Sequence, residues 1–148
     1  MIRNCSINTE AGIKLNKKNI HEMIALIKKE KNLNIESLEI NFVNEKTILE
    51  INTEYLGHKY PTDVISFNYS DESNNLDGEI FICYDTAEEN AKRFSAKFDD
   101  EIKRLVIHGI LHLIGYDDVV KSKREKMRSE EDRLLAKTKR FGKVVKNK

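Results

Sequence analysis

Two histidines and two adjacent carboxylates fall within the stretch HGILHLIGYDD, His108 to Asp118. His108 and His112 are four residues apart, a spacing that stacks them on one face of a helix, where two imidazole nitrogens can share one metal ion. A third ligand must come from beyond that helix. Gly115 follows the apolar pair Leu113 and Ile114 and can take the left-handed conformation that ends a helix and turns the chain back. Asp117 or Asp118 would then reach the ion. The competing reading is a pair of partly buried histidines ahead of an acidic turn. The metal reading explains more, because a buried imidazole needs a partner and one ion satisfies both rings. Gly109 stands where H-E-x-x-H peptidases carry their general-base glutamate, so peptidase chemistry loses ground.

The rest of the chain must position this stretch. Its 148 residues, 39% hydrophobic, suit one domain, 1–148, with a core of its own. Alternating apolar residues predict strands over Ile2–Ile7 and Ile35–Val43, and over PTDVISF, Pro61–Phe67, which opens on the only proline and suits a sheet margin. GEIFICY, Gly78–Tyr84, predicts a fourth strand, with Ile80 and Ile82 on one face and Phe81 and Cys83 on the other. Helical spacing predicts Lys17–Lys31, a helix capped by Asn44 and ended by Gly57, and one from Asp85 or Thr86 to about Lys97. A fourth, capped by Asp99 or Asp100, carries the histidines, and a charged fifth runs from about Lys121 to Lys139. The class is α+β, a small four-stranded mixed sheet with about five helices. His21 lies beside a helical stripe with no second ligand at i+3 or i+4, and reads as a surface or boundary residue.

Net charge is +1, but it is segregated: residues 121–148 hold 12 bases and 4 acids, residues 71–101 hold 3 bases and 10 acids. The basic segment can bind phosphate backbones or simply be solvated, and its end, from about 137, is expected to be a mobile tail. Cys5 and Cys83 read as buried thiols of a reducing cytoplasm. No stretch approaches the roughly 20 apolar residues of a membrane span, and MIRNCSINTE has no apolar leader core. A cytoplasmic protein is expected.

Three of these segments together resemble the YbeY endoribonucleases, also described as ribosomal RNA maturation factors. HGILHLIGYDD matches the family's H-G-x-L-H-L-x-G-Y-D-H at every fixed position but the last; PTDVISF matches P-T-D-V-L-S-F, and GEIFI is similar to G-D-I-x-I. The resemblance covers most of the chain. It implies a metzincin-like architecture, one Zn2+ held by His108, His112 and Asp118, and single-strand-specific RNA cleavage in 3′-end maturation of small-subunit ribosomal RNA and ribosome quality control. Implied partners are ribosomal RNA and the small ribosomal subunit, with ribosomal proteins or assembly GTPases as further possibilities.

At two positions the chain departs from the family's pattern. Asp118 replaces a histidine ligand; its charge partly neutralises the ion and weakens it as a Lewis acid. Two histidines and a carboxylate are also an iron(II) ligand set, which leaves iron or nickel open beside zinc. Leu56 replaces an arginine, and nearby His58 and Lys59 are candidates for the missing positive charge. Thr62, Asp63 and Ser66 are expected along the substrate groove, and Asp117 in a turn or behind a histidine ring. The expected chemistry is metal-assisted phosphodiester hydrolysis, with His108 and His112 at its centre. The alternative is a metal-stabilised, ribosome-associated assembly factor with little nuclease activity.

Overall fold

A computed structural model describes residues 2–59 and 62–146. In chain order these form β1 (Cys5–Thr9), α1 (Lys17–Lys31), β2 (Asn34–Val43), α2 (Glu45–Leu56), β3 (Val64–Asn68), β4 (Asn75–Cys83), α3 (Tyr84–Arg93), α4 (Phe98–Leu113) and α5 (Lys121–Thr138), with a short 3-10 turn at Lys139–Phe141. The strands make one sheet in the order β1-β2-β4-β3. β1, β2 and β4 are mutually parallel, and β3 runs antiparallel to β4 at the margin. The expected mixed α+β class is what forms.

Local chemistry sets most boundaries. The Asn16 and Asn44 side chains accept from the amides of Asn19 and Thr47, satisfying donors that the first turns of α1 and α2 leave open. Gly57, at φ 70, closes α2. Alternation along β2 and β4 then sends Leu38, Ile40, Phe42, Ile80 and Ile82 into the main core against Ile20, Met23 and Ile24 of α1 and Ile102, Val106 and Ile110 of α4. Val43, Ile65 and Cys83 face the other way, against Ile48 of α2. α4 is therefore packed across the sheet. The end of that helix carries the histidines.

Several expectations need correction. β1 begins at Cys5 rather than Ile2, because Asn4 turns the chain at φ 62 just before it. β3 begins at Val64, and Pro61 lies outside the described residues. β4 starts at Asn75, and α3 stops at Arg93, short of Lys97, with Ser95 at φ 54 in the turn that follows. α4 has no side-chain cap; Asp99 sits inside its first turn, where Oδ1 accepts from the amides of Val144 and Val145 at 2.7 and 2.9 Å. Those contacts also hold the segment expected to be mobile. Val144 is fully buried and Val145 bridges Leu15, so the described part of the basic segment is docked. His21 is buried rather than superficial, and its Nδ1 has no hydrogen-bond partner. Both cysteines are free, Cys83 buried and Cys5 half-buried. Among the described residues no helix is long and apolar enough to cross a membrane.

Candidate active site

α4 is held so closely to the sheet that Gly109 has no room for a side chain. A Cβ there would stand 2.8 and 2.9 Å from Cγ2 and Cδ1 of Ile80, well inside contact distance. The glycine between the histidines is thus a packing requirement. It lets the helix sink onto β4 while His108 and His112 line a cavity on the β3 side. The helix ends at Leu113, Gly115 turns the chain at φ 106, and Asp118 comes back beside the first histidine. His108 Nε2 lies 3.9 Å from Asp118 Oδ2. The two imidazole rings are perpendicular, with centroids 5.9 Å apart.

The other nitrogen of His108 is already committed. Nδ1 lies 2.6 Å from Oε2 of Glu131, a buried residue of α5. An ionised carboxylate only accepts, so Nδ1 carries the proton and a neutral ring keeps its lone pair on Nε2, the atom on the Asp118 side. Arg104 fixes Glu131 in turn, donating from Nη1 to Oε1 at 3.1 Å and from Nη2 to Asp132 Oδ1 at 2.8 Å. Burial alone would lower the pKa of His108; Glu131, Asp118 and Asp63 outweigh it, and the net shift is upward. Three carboxylates therefore favour a cation at this ring, either a proton or a metal competing for the same lone pair.

His108, His112 and Asp118 line one cavity of about 390 Å³, together with Asn52, Leu56, His58, Thr62, Asp63 and Ser66. Of the expected substrate-facing residues, only Lys59 is missing from this wall; it is exposed elsewhere on the loop. A second cavity, about 580 Å³, adjoins across Asp63, His108 and Asp118, and is lined on its α5 side by Lys121, Arg124 and Arg128. Asp63 belongs to both. Burial pushes its carboxyl up; the His108 charge and the amides of residues 63 and 64 oppose this. Glu101, in the second cavity, is pushed up by burial and then by Asp63.

The donors suit a divalent ion by chemistry, and His108 also by orientation. Ligand atoms about 2.0–2.1 Å from a tetrahedral zinc stand about 3.3 Å from each other, so the His108–Asp118 edge is wider than a bound ion would hold it. Among the described residues, no three His, Cys, Asp or Glu side chains already converge on one point. Yet His112 and Asp118 are both exposed and able to swing, while His108 is pinned by a carboxylate behind its ring, the arrangement that orients histidine ligands in metal sites. The residues fit the group.

Sequence reasoning missed Glu131. Asp117, one candidate for the residue behind the ring, instead accepts from the Val119 amide and pairs with Lys123 at 3.4 Å, which makes it a turn residue. A signal was there: Glu131 lies on the apolar stripe of α5, four residues after Met127 and three before Leu134, where an acid needs a buried partner.

Residues 3–139 match the family model described as endoribonuclease YbeY. The chain is 43% identical over 110 residues to the endoribonuclease YbeY of Chlorobium phaeobacteroides, covering 74% of this chain and 77% of that one. It is 42% identical over 114 residues to that of Chlorobaculum tepidum, with 77% and 82% covered. The solution structure of TM1509 from Thermotoga maritima superposes with a TM-score of 0.68 at 28% identity, over 90% of this chain and 88% of that one. With the family model spanning nearly all of the described fold, and the same motif residues gathered around one cavity, this chain belongs to the YbeY endoribonuclease family.

Proposed function

We propose that the chain is a metal-dependent endoribonuclease that cleaves single-stranded RNA, acting on ribosomal RNA in 3′-end maturation of the small subunit and in ribosome quality control. The observation that carries this reading is His108, committed at Nδ1 to Glu131 and turned at Nε2 toward the cavity that His112 and Asp118 share. His108, His112 and Asp118 would hold the ion, with zinc the first choice and iron or nickel the alternatives for this donor set. Bound there, a divalent cation supplies Lewis acidity toward a phosphoryl oxygen. Glu131 keeps the His108 ring in its tautomer, and Arg104 keeps Glu131 in place. The hydroxyls of Thr62 and Ser66 and the imidazole of His58 offer hydrogen bonds to a phosphodiester or ribose. Lys121, Arg124 and Arg128, beside the neighbouring cavity, offer positive charge to flanking phosphates. The partners of this reading are ribosomal RNA and the small ribosomal subunit, and its compartment is the cytoplasm, where free thiols stay reduced.

The test joins elemental analysis of the purified protein to cleavage of a single-stranded RNA with and without chelator. His112→Ala is expected to lose both the metal and the cleavage. A variant that processes RNA normally without metal overturns the reading. One observation favours an assembly factor with little nuclease activity: Leu56, apolar and 44% exposed, forms part of the wall of the site cavity. Cosedimentation with ribosomes by a metal-loaded protein that leaves RNA intact would establish that alternative.

A further inference from the structure

We propose that Asp63 is the general base of the hydrolysis, the group that takes the proton from the attacking water. This rests on the endoribonuclease reading. Position 109, between the two histidines, cannot supply the base, because it is pressed onto Ile80 and any side chain there would overlap it. The base is sought among the other acids and imidazoles around the site. Among the described residues, five titratable side chains line the cavity that holds both histidines: His58, Asp63, His108, His112 and Asp118. The last three are the ligand set, and Glu131 is consumed by His108 and Arg104. Glu101 opens only onto the neighbouring cavity.

Between the remaining two, Asp63 is the half-buried group and His58 the exposed one. It stands at the entry to β3, where its carbonyl accepts from the Cys83 amide at 2.8 Å and ties it to the end of β4. Its carboxylate is steadied by the backbone amides of residues 63 and 64 and, at a long 3.4 Å, by Asn90 Nδ2 from α3. Half-burial raises the proton affinity of the Asp63 carboxylate, the direction that improves a carboxylate as a base near neutral pH. Its place between the two cavities puts it where a strand crossing from one to the other must pass.

In this step a water oxygen forms a bond to phosphorus as its proton passes to an Asp63 carboxylate oxygen. The bond from phosphorus to the leaving ribose oxygen breaks, and that oxygen takes its proton from solvent water. Asp63 later returns its proton to solvent, so charge and atoms balance without a further reactant.

The experiment uses the full-length, metal-loaded protein and a fluorescent single-stranded oligoribonucleotide. Asp63→Asn keeps the shape and an acceptor for the backbone amides but cannot take a proton. It is expected to lower kcat by about 10²–10⁴-fold with KM within about twofold, and to leave metal content unchanged. Adding formate to Asp63→Ala should restore at least about tenfold of the lost rate, which a merely structural aspartate would not allow. If Asp63→Asn keeps kcat within about fivefold of the parent, the proposal fails while the endoribonuclease reading stands. Loss of metal or of RNA affinity in proportion to the rate would make Asp63 a holding residue and also overturn it. Failure of formate to rescue Asp63→Ala counts equally against a base. If the parent protein cleaves no RNA at all, this proposal falls together with the reading beneath it.

Discussion

The two sides of α5 use the same kinds of residue to opposite ends. Toward α1, Glu130 pairs with Arg133 and Lys31, and Glu30 pairs with Lys137 at 2.9 Å and Arg133 at 2.7 Å. Arg133 above all holds Glu130 down to about 2, and the hydrogen bonds from Lys137 and then Arg133 do the same for Glu30. Every charge in that seam is answered. Toward α4, the next two acids, Glu131 and Asp132, answer Arg104 and the protonated nitrogen of His108, but Asp63 and Glu101 are pushed up by burial and the His108 ring is pushed up by surrounding carboxylates. One seam spends its charges on itself. The other leaves groups whose proton affinities are displaced and which face a cavity, the condition under which chemistry can be done.

The sharpest way to break this contrast is Glu131→Gln. An amide can still meet His108 but carries no charge, and metal affinity is expected to fall about 10–100-fold, read by competition with a chromophoric chelator. Unchanged affinity would reduce the α4 seam to another structural ion pair. Gly109→Ala tests the packing that exposes the histidines. The added methyl must displace Ile80, costing about 1–3 kcal/mol in denaturant unfolding. On the α1 side, Arg133→Gln removes the hub of the seam. Because that side chain is 41% exposed, solvent screening limits the expected loss to no more than about 1 kcal/mol, with metal content and cleavage unaltered. The smallest effect is acid sensitivity. Glu30 and Glu130 have folded values near 2 against an ordinary 4.5, so their contribution is complete above about 4.5 and fades as pH falls toward 2. Thermal unfolding followed over that interval should show a shallower loss in Glu130→Gln than in the parent. An identical profile would place the acid-labile pairs elsewhere.

How far these features could be read in advance depended on whether their causes are local. α1 was legible from the helical spacing of its apolar stripe, and α2 nearly to the residue because Asn44 and Gly57 punctuate it. The two histidines, the turn at Gly115 and Asp118 follow from spacing within one short segment, and His108, His112 and Asp118 line one cavity. The ends of α3 and the start of α4 were misjudged because neither helix has a side-chain cap to announce it. β4 looked as though it opened at Gly78, yet that glycine lies within the strand: a Cβ would stand 2.5 Å from the Phe67 carbonyl oxygen, so close approach of β3 demands it. Arg104 and Glu131 were hidden for a different reason. Their pairing joins residues 27 apart on two helices, and only the packing of α5 on α4 decides it.

The docking of Val144 and Val145 onto Asp99 has a consequence in time. A chain made from its amino end presents the first turn of the histidine helix 45 residues before the amides that tie it down are synthesised, and presents His108 23 residues before the carboxylate that steadies it. A nascent polypeptide would therefore carry its histidines for some while in an unfinished setting. Order at this site would arrive only once α5 and the segment through Val145 have been made and have packed onto α4.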